Sequence, residues 1–285
     1  MSEVAVRVQS LHVHPVKSCA GIEVKEALVV ETGFDLDRAW MVVDADGGFL
    51  TQRELPRLAL VRPTLRTDDL VLRAPGMLAL HLALDVVEAR AQATVWNDRV
   101  AAYDMGDLCA QWFTDYLRRP TRLVRFDPEQ RRLADPRWTG DLQAETAFQD
   151  AFPLLVASVA SLAEVNRRLV RGGQDAVAMT RFRPNVVLEG LEDAHAEDGM
   201  GEIVFDAEGG PVRLRLVKPC ARCTIPDVDP ATGEQGHAVA DVLAGYRTDP
   251  RVGGQVTFGM NAVVVEGLDR VLRPGMAGRA SVGFD

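Results

Sequence analysis

The chain has 285 residues, of which 47% are hydrophobic and 26% charged, a composition typical of a globular protein long enough for two domains. Its formal net charge of −9 disfavours broad binding to nucleic acid or to anionic membranes, because both require surplus positive charge. The sequence has no apolar run of the roughly 18 residues that span a bilayer and no secretory signal pattern at its charged N-terminus. Four cysteines are too few for a disulfide framework and predict a reducing, cytoplasmic setting.

Strand patterns dominate the first hundred residues. Residues 4–16, VAVRVQSLHVHPV, alternate apolar and polar side chains as a half-buried strand does. The runs EALVVETG and AWMVVDADGGFLTQRE are also β-rich. The Asp-Gly-Gly at residues 46–48 predicts a hairpin, because glycine accepts the positive φ of tight hairpin turns. We therefore expect this half to consist mainly of sheets.

A helix and a charged junction follow these strands. The helix is predicted over residues 106–118, where Leu108, Trp112 and Tyr116 recur every four residues and would share one apolar face. Residues 118–137, RRPTRLVRFDPEQRRLADPR, are charged and contain prolines, which favours a junction between domains.

The second half mixes strands with two helices. FPLLVAS predicts a strand, and Ser161-Leu-Ala-Glu164 matches a capping box that would begin a helix ending near Val170, with Leu162, Val165 and Leu169 buried. RPNVVLEG, GEIVFDAEGG, PVRLRLVKP, QVTFGMNAVVVEG and the segment after PGMAG predict strands, and HAVADVLAGYR predicts a helix. Two β-rich units with few helices favour barrel-like domains over an alternating βαβ sheet.

Cys220 and Cys223, in the segment KPCARCTIPDVDPATGE, have three interpretations. A structural zinc site needs about four ligands, and no second spaced pair is evident. A thioredoxin-like redox pair would be expected beside a βαβ pattern. The third interpretation is two buried apolar thiols. Against it stand Lys218 and Arg222, since positive neighbours lower a thiol pKa and favour the metal-binding thiolate. A soft thiolate suits a transition metal.

Further polar residues could bind an anion. Lys17 and Ser18 follow the first predicted strand. Arg183 and Asn185 lie two apart on a predicted strand and would face the same side, where arginine offers a planar fork and asparagine both a donor and an acceptor. Taken alone, Arg183 and Asn185 are better explained as surface charge and a turn asparagine, and Lys17 as a solvated lysine. Arg38 could pair with Asp35 or Asp37 at the surface.

Several segments, in this order, resemble the MOSC family, and most closely its subgroup with an N-terminal MOSC β-barrel domain, the YcbX-like proteins and mitochondrial amidoxime-reducing components. HPVKSCAGIEV, GFDLDRAWMVVD and LTQRELPRLALV resemble the N-terminal domain, and VASVASLAEVNRRL, TRFRPNVVLEG, KPCARCTIPDVDPATGE and TFGMNAVV resemble the MOSC domain. The resemblance implies a mixed α/β, β-rich fold: an N-terminal MOSC-type β-barrel domain at residues 1–125, then a MOSC β-barrel domain at residues 126–285 with a few peripheral helices.

The resemblance also implies a molybdopterin cofactor. Cys223, the second cysteine of the block, would be the catalytic thiolate ligand of molybdenum, with Cys220 a structural neighbour. Ser161 is better explained as a helix cap. Pyridoxal phosphate binding is implied at the family level only. The implied cofactor contacts are Lys17, Ser18, Arg38, Ser158, Arg183, Asn185 and Arg222.

The activity implied is that of a molybdenum-dependent oxidoreductase that reduces N-hydroxylated or N-oxide-type substrates. Electrons would come from a separate reductase, because the sequence shows no ferredoxin-type iron–sulfur domain. We expect no nucleic-acid or membrane partner. The alternative is a sulfur or cofactor carrier that uses a Cys223 persulfide. Because the implied contacts come from both halves, we expect the pocket at the domain interface.

Overall fold

A computed structural model of the protein describes residues 2–283. The α-helices are α1 (Asp107–Leu117), α2 (Pro136–Thr139), α3 (Val159–Arg171) and α4 (Ala238–Ala244). The strands are β1 (Ser2–Val13), β2 (Ile22–Val24), β3 (Ala27–Val30), β4 (Gly33–Phe34), β5 (Trp40–Val43), β6 (Arg62–Leu65), β7 (Asp69–Arg73), β8 (Leu80–Ala83), β9 (Ala89–Val95), β10 (Asp98–Asp104), β11 (Arg122–Phe126), β12 (Leu154–Ser158), β13 (Val186–Glu189), β14 (Met200–Ala207), β15 (Gly210–Ala221), β16 (Thr248–Asp249), β17 (Gln255–Glu266), β18 (Val271–Leu272) and β19 (Ala277–Val282). The predicted β-rich fold with few helices is confirmed.

Seven strands close into a barrel in the order β12-β13-β1-β19-β14-β15-β17, because β12 also pairs with β17. The N-terminal strand β1 is part of this barrel. Its Leu11 faces Val186 of β13, and its Arg7 faces Ala277 of β19. Local sequence patterns predict β1 as a strand but not these distant partners. The barrel interior is packed with fully buried side chains that include Val8, Leu11, Val156, Leu188, Ile203, Phe205 and Leu214.

The other sheets belong mainly to the first half of the chain. Strands β5-β11-β10-β9 form a four-stranded sheet, and β6-β7-β8 form a three-stranded one. Strand β11 lies inside the charged segment 118–137 and pairs with both β5 and β10. That segment is therefore only in part a connection between domains. The domain boundary at residue 125 stays a prediction.

Helix α1 forms where it was predicted, but one residue of its apolar face was assigned wrongly. Trp112 and Tyr116 are buried, together with Cys109 and Phe113 between them. Leu108 is 73% exposed. The buried stripe runs through positions 109, 112, 113 and 116, and Leu108 lies about 100° around the helix from Cys109.

Helix α3 begins three residues earlier than the capping box predicts. Its cap is Ser158, whose Oγ accepts a hydrogen bond from the backbone N–H of Ser161 at 3.1 Å. The assignment of Ser161 as the cap is therefore wrong. Glu164 pairs with Arg167 and Arg168 along the helix and does not close a capping box. Within residues 2–283, no helix combines the length and apolarity needed to cross a membrane.

Candidate cofactor-binding cleft

A cleft of about 200 Å³ lies between the two halves of the chain. The first half contributes residues that follow β1 and β5, and the second half contributes the segments before β12 and β13 and the end of β15. Seven of the eight residues assigned to the site from the sequence line this cleft, and Ser158 does not. The polar and cysteine residues that line the cleft include Lys17, Ser18, Arg38, Arg53, Asp150, Arg183, Asn185, Lys218, Cys220, Arg222 and Cys223.

The cleft is cationic in an acidic protein. Six lysine and arginine side chains line it, against one carboxylate, Asp150. The whole chain carries a net charge of −9. Positive charge concentrated in one concave site attracts anionic ligands and raises their local concentration. The cleft is therefore suited to an anion, although the protein surface as a whole is not.

Lys17 is fixed at the base of the cleft by two hydrogen bonds. Its Nζ lies 2.7 Å from the Phe148 carbonyl oxygen and 2.7 Å from Asp150 Oδ1. Desolvation opposes ionisation of Asp150, but the charge and hydrogen bond of Lys17, the hydrogen bond from Trp96 and the charge of Arg38 together lower the pKa of this carboxyl to about 2. Asp150 is therefore ionised at neutral pH. The next residue, Ser18, has a positive φ of 65°, and its carbonyl accepts from Gln52.

Arg38 and Asn185 join the two halves. Arg38 forms an ion pair with the buried Asp37 and donates from Nη1 to Asn185 Oδ1 at 3.1 Å. The same Asn185 oxygen accepts from the backbone N–H of Leu155 at 3.1 Å. The Asn185 amide donates to the His12 carbonyl at 3.2 Å. Asn185 thus fixes β1, β12 and Arg38 relative to one another, and the surface ion pair considered for Arg38 is instead a buried one.

Arg183 does not lie on a strand, contrary to the prediction. Strand β13 begins at Val186, and Arg183 has a φ of 57°, in the left-handed region. The strand pattern of RPNVVLEG holds only from the first valine, because Pro184 lacks an N–H to pair. The Arg183 guanidinium donates to the Cys19 carbonyl in the first half of the chain. Burial and the nearby Arg38 lower the pKa of Arg183 to about 10, so it remains charged at neutral pH.

The two cysteines of the PCARC block differ in exposure. Cys223 is exposed in the cleft, and Cys220 is half-buried. The interpretation as two buried thiols is therefore wrong for Cys223. Arg222 donates to Cys220 Sγ at 3.1 Å and to the Phe182 carbonyl at 2.9 Å. Its charge is thus directed at Cys220 and leaves the Cys223 thiol open to a ligand.

Comparison with known proteins identifies the family. Residues 5–120 match the family model described as the MOSC N-terminal beta barrel domain, and residues 143–283 match the MOSC domain. The chain belongs to the MOSC family. Human mitochondrial amidoxime-reducing component 1 is 36% identical over 236 residues, which cover 79% of this chain and 67% of that protein. Bovine mitochondrial amidoxime reducing component 2 is 34% identical over 235 residues, covering 79% and 67%. Human molybdenum cofactor sulfurase is 30% identical over 270 residues, covering 89% of this chain but 29% of that protein.

The residues of this MOSC cleft fit a molybdenum cofactor. Nε of Arg222 is buried and has no hydrogen-bond partner among residues 2–283, so it is a donor that an acceptor on a ligand would satisfy. The exposed Cys223 offers a soft sulfur ligand. In the described part of the chain, no cluster of three or more His, Cys, Asp or Glu side chains could hold a metal ion. The zinc interpretation therefore finds no ligand set there.

Ser158 lies apart from this MOSC cleft. Its hydroxyl caps α3 and is 2.7 Å from Ser161 Oγ and 2.9 Å from Glu197 Oε2. Ser158 has no exposed surface, and Ser161 and Glu197 are equally buried. The geometry therefore gives no support to Ser158 as a cofactor contact, because its hydroxyl is engaged within the protein.

Other cleft residues carry no sequence signal. Arg53, Gln149, Asp150 and Asn261 line the cleft from three different segments. Arg53 lies in LTQREL, one of the segments that resemble the family, but no spacing sets it apart from an ordinary surface arginine. Folding alone brings these residues together.

We expect Arg183→Ala to weaken cofactor retention more than Arg183→Lys does, with neither change unfolding the protein. Arginine can form two parallel N–H bonds to an anion, whereas lysine offers a point charge. A charge-assisted hydrogen bond contributes about 1.5–3 kcal/mol, which corresponds to a loss of affinity of roughly tenfold to a hundredfold. The measurement is molybdenum per folded protein after extended dialysis. Equal retention in the wild type and both variants would remove Arg183 from the site.

The imidazole of His195 should make the free energy of unfolding fall in acid. The backbone N–H of this residue donates to Ser161 Oγ. Burial, then the charge of Arg247, lowers the pKa of His195 to about 4, against about 6.5 in an unfolded chain. As the pH falls from 6.5 to 4, the unfolded state binds more protons and the folded state loses stability. Asparagine cannot titrate and tolerates the φ of 64° at this position. Urea unfolding at pH 7 and pH 4 should show the wild type losing on the order of 2 kcal/mol more than His195→Asn. Identical losses would contradict this assignment.

Proposed function

We propose that the protein is a molybdenum-dependent oxidoreductase that reduces N-hydroxylated or N-oxide-type compounds, with electrons from a separate reductase. The observation that carries the proposal is the exposed thiol of Cys223 in a cationic cleft between the two halves of the chain. Two relatives named amidoxime-reducing components, which are 36% and 34% identical over 79% of this chain, support this reaction class. A cytoplasmic location stays a prediction.

In this proposal, several side chains of the cleft have defined tasks. The Cys223 thiolate holds the metal. Arg183 and Arg222 hold anionic groups of the cofactor by charge-assisted hydrogen bonds. Lys17, fixed by Asp150, adds a charge whose position does not depend on the ligand. Asn185 keeps Arg38 in place from the other half of the chain.

When bound, the molybdenum cofactor supplies the two-electron redox chemistry that removes an oxygen atom from the substrate. Reduction of an amidoxime to an amidine consumes two electrons and two protons and releases water. The protein contributes binding and orientation. Because the cleft lies between two packed units, its arginines are held before any ligand arrives, and this preorganisation lowers the cost of binding.

The test uses protein purified from a molybdenum-replete host. We expect stoichiometric molybdenum and reduction of benzamidoxime to benzamidine with a reduced viologen as artificial electron donor. A protein that lacks molybdenum and carries a cyanide-labile persulfide on Cys223 would contradict the proposal and favour the sulfur carrier.

A further inference from the structure

Two cations of the cleft are unaccounted for by the proposed cofactor site. Arg53 and Lys218 line the cleft, yet within residues 2–283 neither has a carboxylate within 4 Å or donates to a backbone carbonyl. In the part of the chain that the structure describes, their only side-chain hydrogen bond is from Arg53 Nε to Thr51 Oγ1 at 3.3 Å. Lys17, by contrast, is paired with Asp150. Within the described range, neither Arg53 nor Lys218 is therefore neutralised by a carboxylate in direct contact.

Both of these cations rest over aromatic rings. The guanidinium carbon of Arg53 lies 4.8 Å from the centre of the Trp96 ring. Nζ of Lys218 lies 5.4 Å from the Trp138 ring and 5.8 Å from the Phe152 ring. A cation–π contact restrains a cation without cancelling its charge. An arginine that stacks by its face also keeps its N–H edge free for a ligand.

Trp96 is itself held in place at the tip of the hairpin between β9 and β10. Its Nε1 donates to Asp150 Oδ1 at 3.1 Å, and Phe49 packs edge-on at 5.1 Å between ring centres. Trp96 has a φ of 55°, a region that bulky residues rarely occupy. Strained backbone of this kind is kept only where the surroundings impose it, and it clusters at functional sites. The indole beneath Arg53 is thus a fixed platform, even though half of it is exposed.

We propose that Arg53 and Lys218 form an oxyanion subsite, so that the cleft favours N-hydroxylated substrates that also carry a carboxylate or phosphate group. Arg53 on Trp96 presents a planar fork suited to either oxyanion. Lys218 adds a second charge from the other half of the chain. This inference rests on the proposed function and deepens it by naming a substrate class.

The test compares binding of para-carboxybenzamidoxime and neutral benzamidoxime to the molybdenum-loaded protein by calorimetry. The wild type should bind the carboxylate at least tenfold more tightly. Arg53→Gln should weaken binding of the carboxylate ligand by about tenfold or more, because one charge-assisted bond is lost. It should change the affinity for the neutral ligand less than twofold. Arg53→Lys should recover part of the loss. Lys218→Gln should act in the same direction.

Arg57 provides a matched control, since it lies 4.5 Å over the Tyr116 ring but does not line the cleft. Arg57→Gln should leave both affinities unchanged. Equal binding of the two ligands to the wild type, or no measurable binding of the carboxylate, would overturn the proposal. Loss of molybdenum from Arg53→Gln would also overturn it, because the anion would then belong to the cofactor. If the carboxylate binds selectively but neither ligand is reduced, the proposed function fails and the subsite remains.

Discussion

Cys223→Ser should abolish molybdenum binding and amidoxime reduction while leaving the protein folded. Serine is nearly the same size as cysteine but lacks the soft sulfur that a transition metal prefers. Because Cys223 is exposed, the free energy of unfolding should change by less than about 0.5 kcal/mol. The measurements are molybdenum content per folded protein, initial rates with benzamidoxime, and circular dichroism.

Cys220→Ser is the matched control for this experiment. Cys220 is half-buried, and its sulfur accepts a hydrogen bond from Arg222. A serine hydroxyl can accept the same bond, so the variant should keep its metal and substantial activity. If Cys220→Ser alone lost the metal, the roles assigned to the two thiols would have to be exchanged.

Asn185→Ala should destabilise the cofactor-free protein by about 2–6 kcal/mol, because each buried backbone group left without a partner costs about 1–3 kcal/mol. The change would leave two such groups, the N–H of Leu155 and the carbonyl of His12. Asn185 is 1% exposed, so water would not easily replace the lost amide. Urea unfolding at neutral pH measures the loss. The dependence of the free energy of unfolding on urea concentration should be the same in both proteins, so that the difference reflects stability alone.

Asn261→Ala tests whether the loss is specific to this hydrogen-bond set. Asn261 also lines the cleft, but its side chain is half-buried and makes no hydrogen bond to the residues that the structure describes. Its replacement should change the free energy of unfolding by less than about 0.5 kcal/mol. Comparable losses from both variants would show that Asn185 contributes no more than an ordinary cleft residue.

Local patterns in the sequence predicted most of the elements. The alternation in residues 4–16, the glycines near residue 47 and the spacing of Leu162, Val165 and Leu169 each express a steric or burial rule that acts within a few residues. These rules fail where neighbours in space decide the outcome. Leu108 is apolar but lies beside the buried stripe of α1 and remains exposed. Arg183 adopts a left-handed conformation just before its strand.

The candidate site was predictable only where a motif marked it. Lys17, Arg38, Arg183, Asn185, Arg222 and Cys223 lie in segments that resemble the MOSC family, and the structure brings them to one cleft. Ser158 lies in such a segment too, but its hydroxyl caps α3. Arg53 also lies in such a segment, but its contact with Trp96 has no local signature, because it depends on how a hairpin tip packs against a loop from another segment.

The place of β1 in the barrel has a consequence for how the protein is made. Ser2–Val13 is synthesised long before its barrel neighbours Val186–Glu189 and Ala277–Val282. The barrel therefore cannot close until Ala277–Val282 has been synthesised. Its Leu11–Val13 end can pair with the nearby β2 early, but the rest of β1 lacks its barrel neighbours during that interval, and unpaired strand edges are templates for unwanted pairing. Contacts between such distant residues also slow folding. The nascent chain should thus depend on protection of its first strand throughout translation, whereas α1 and its neighbouring sheets can form earlier.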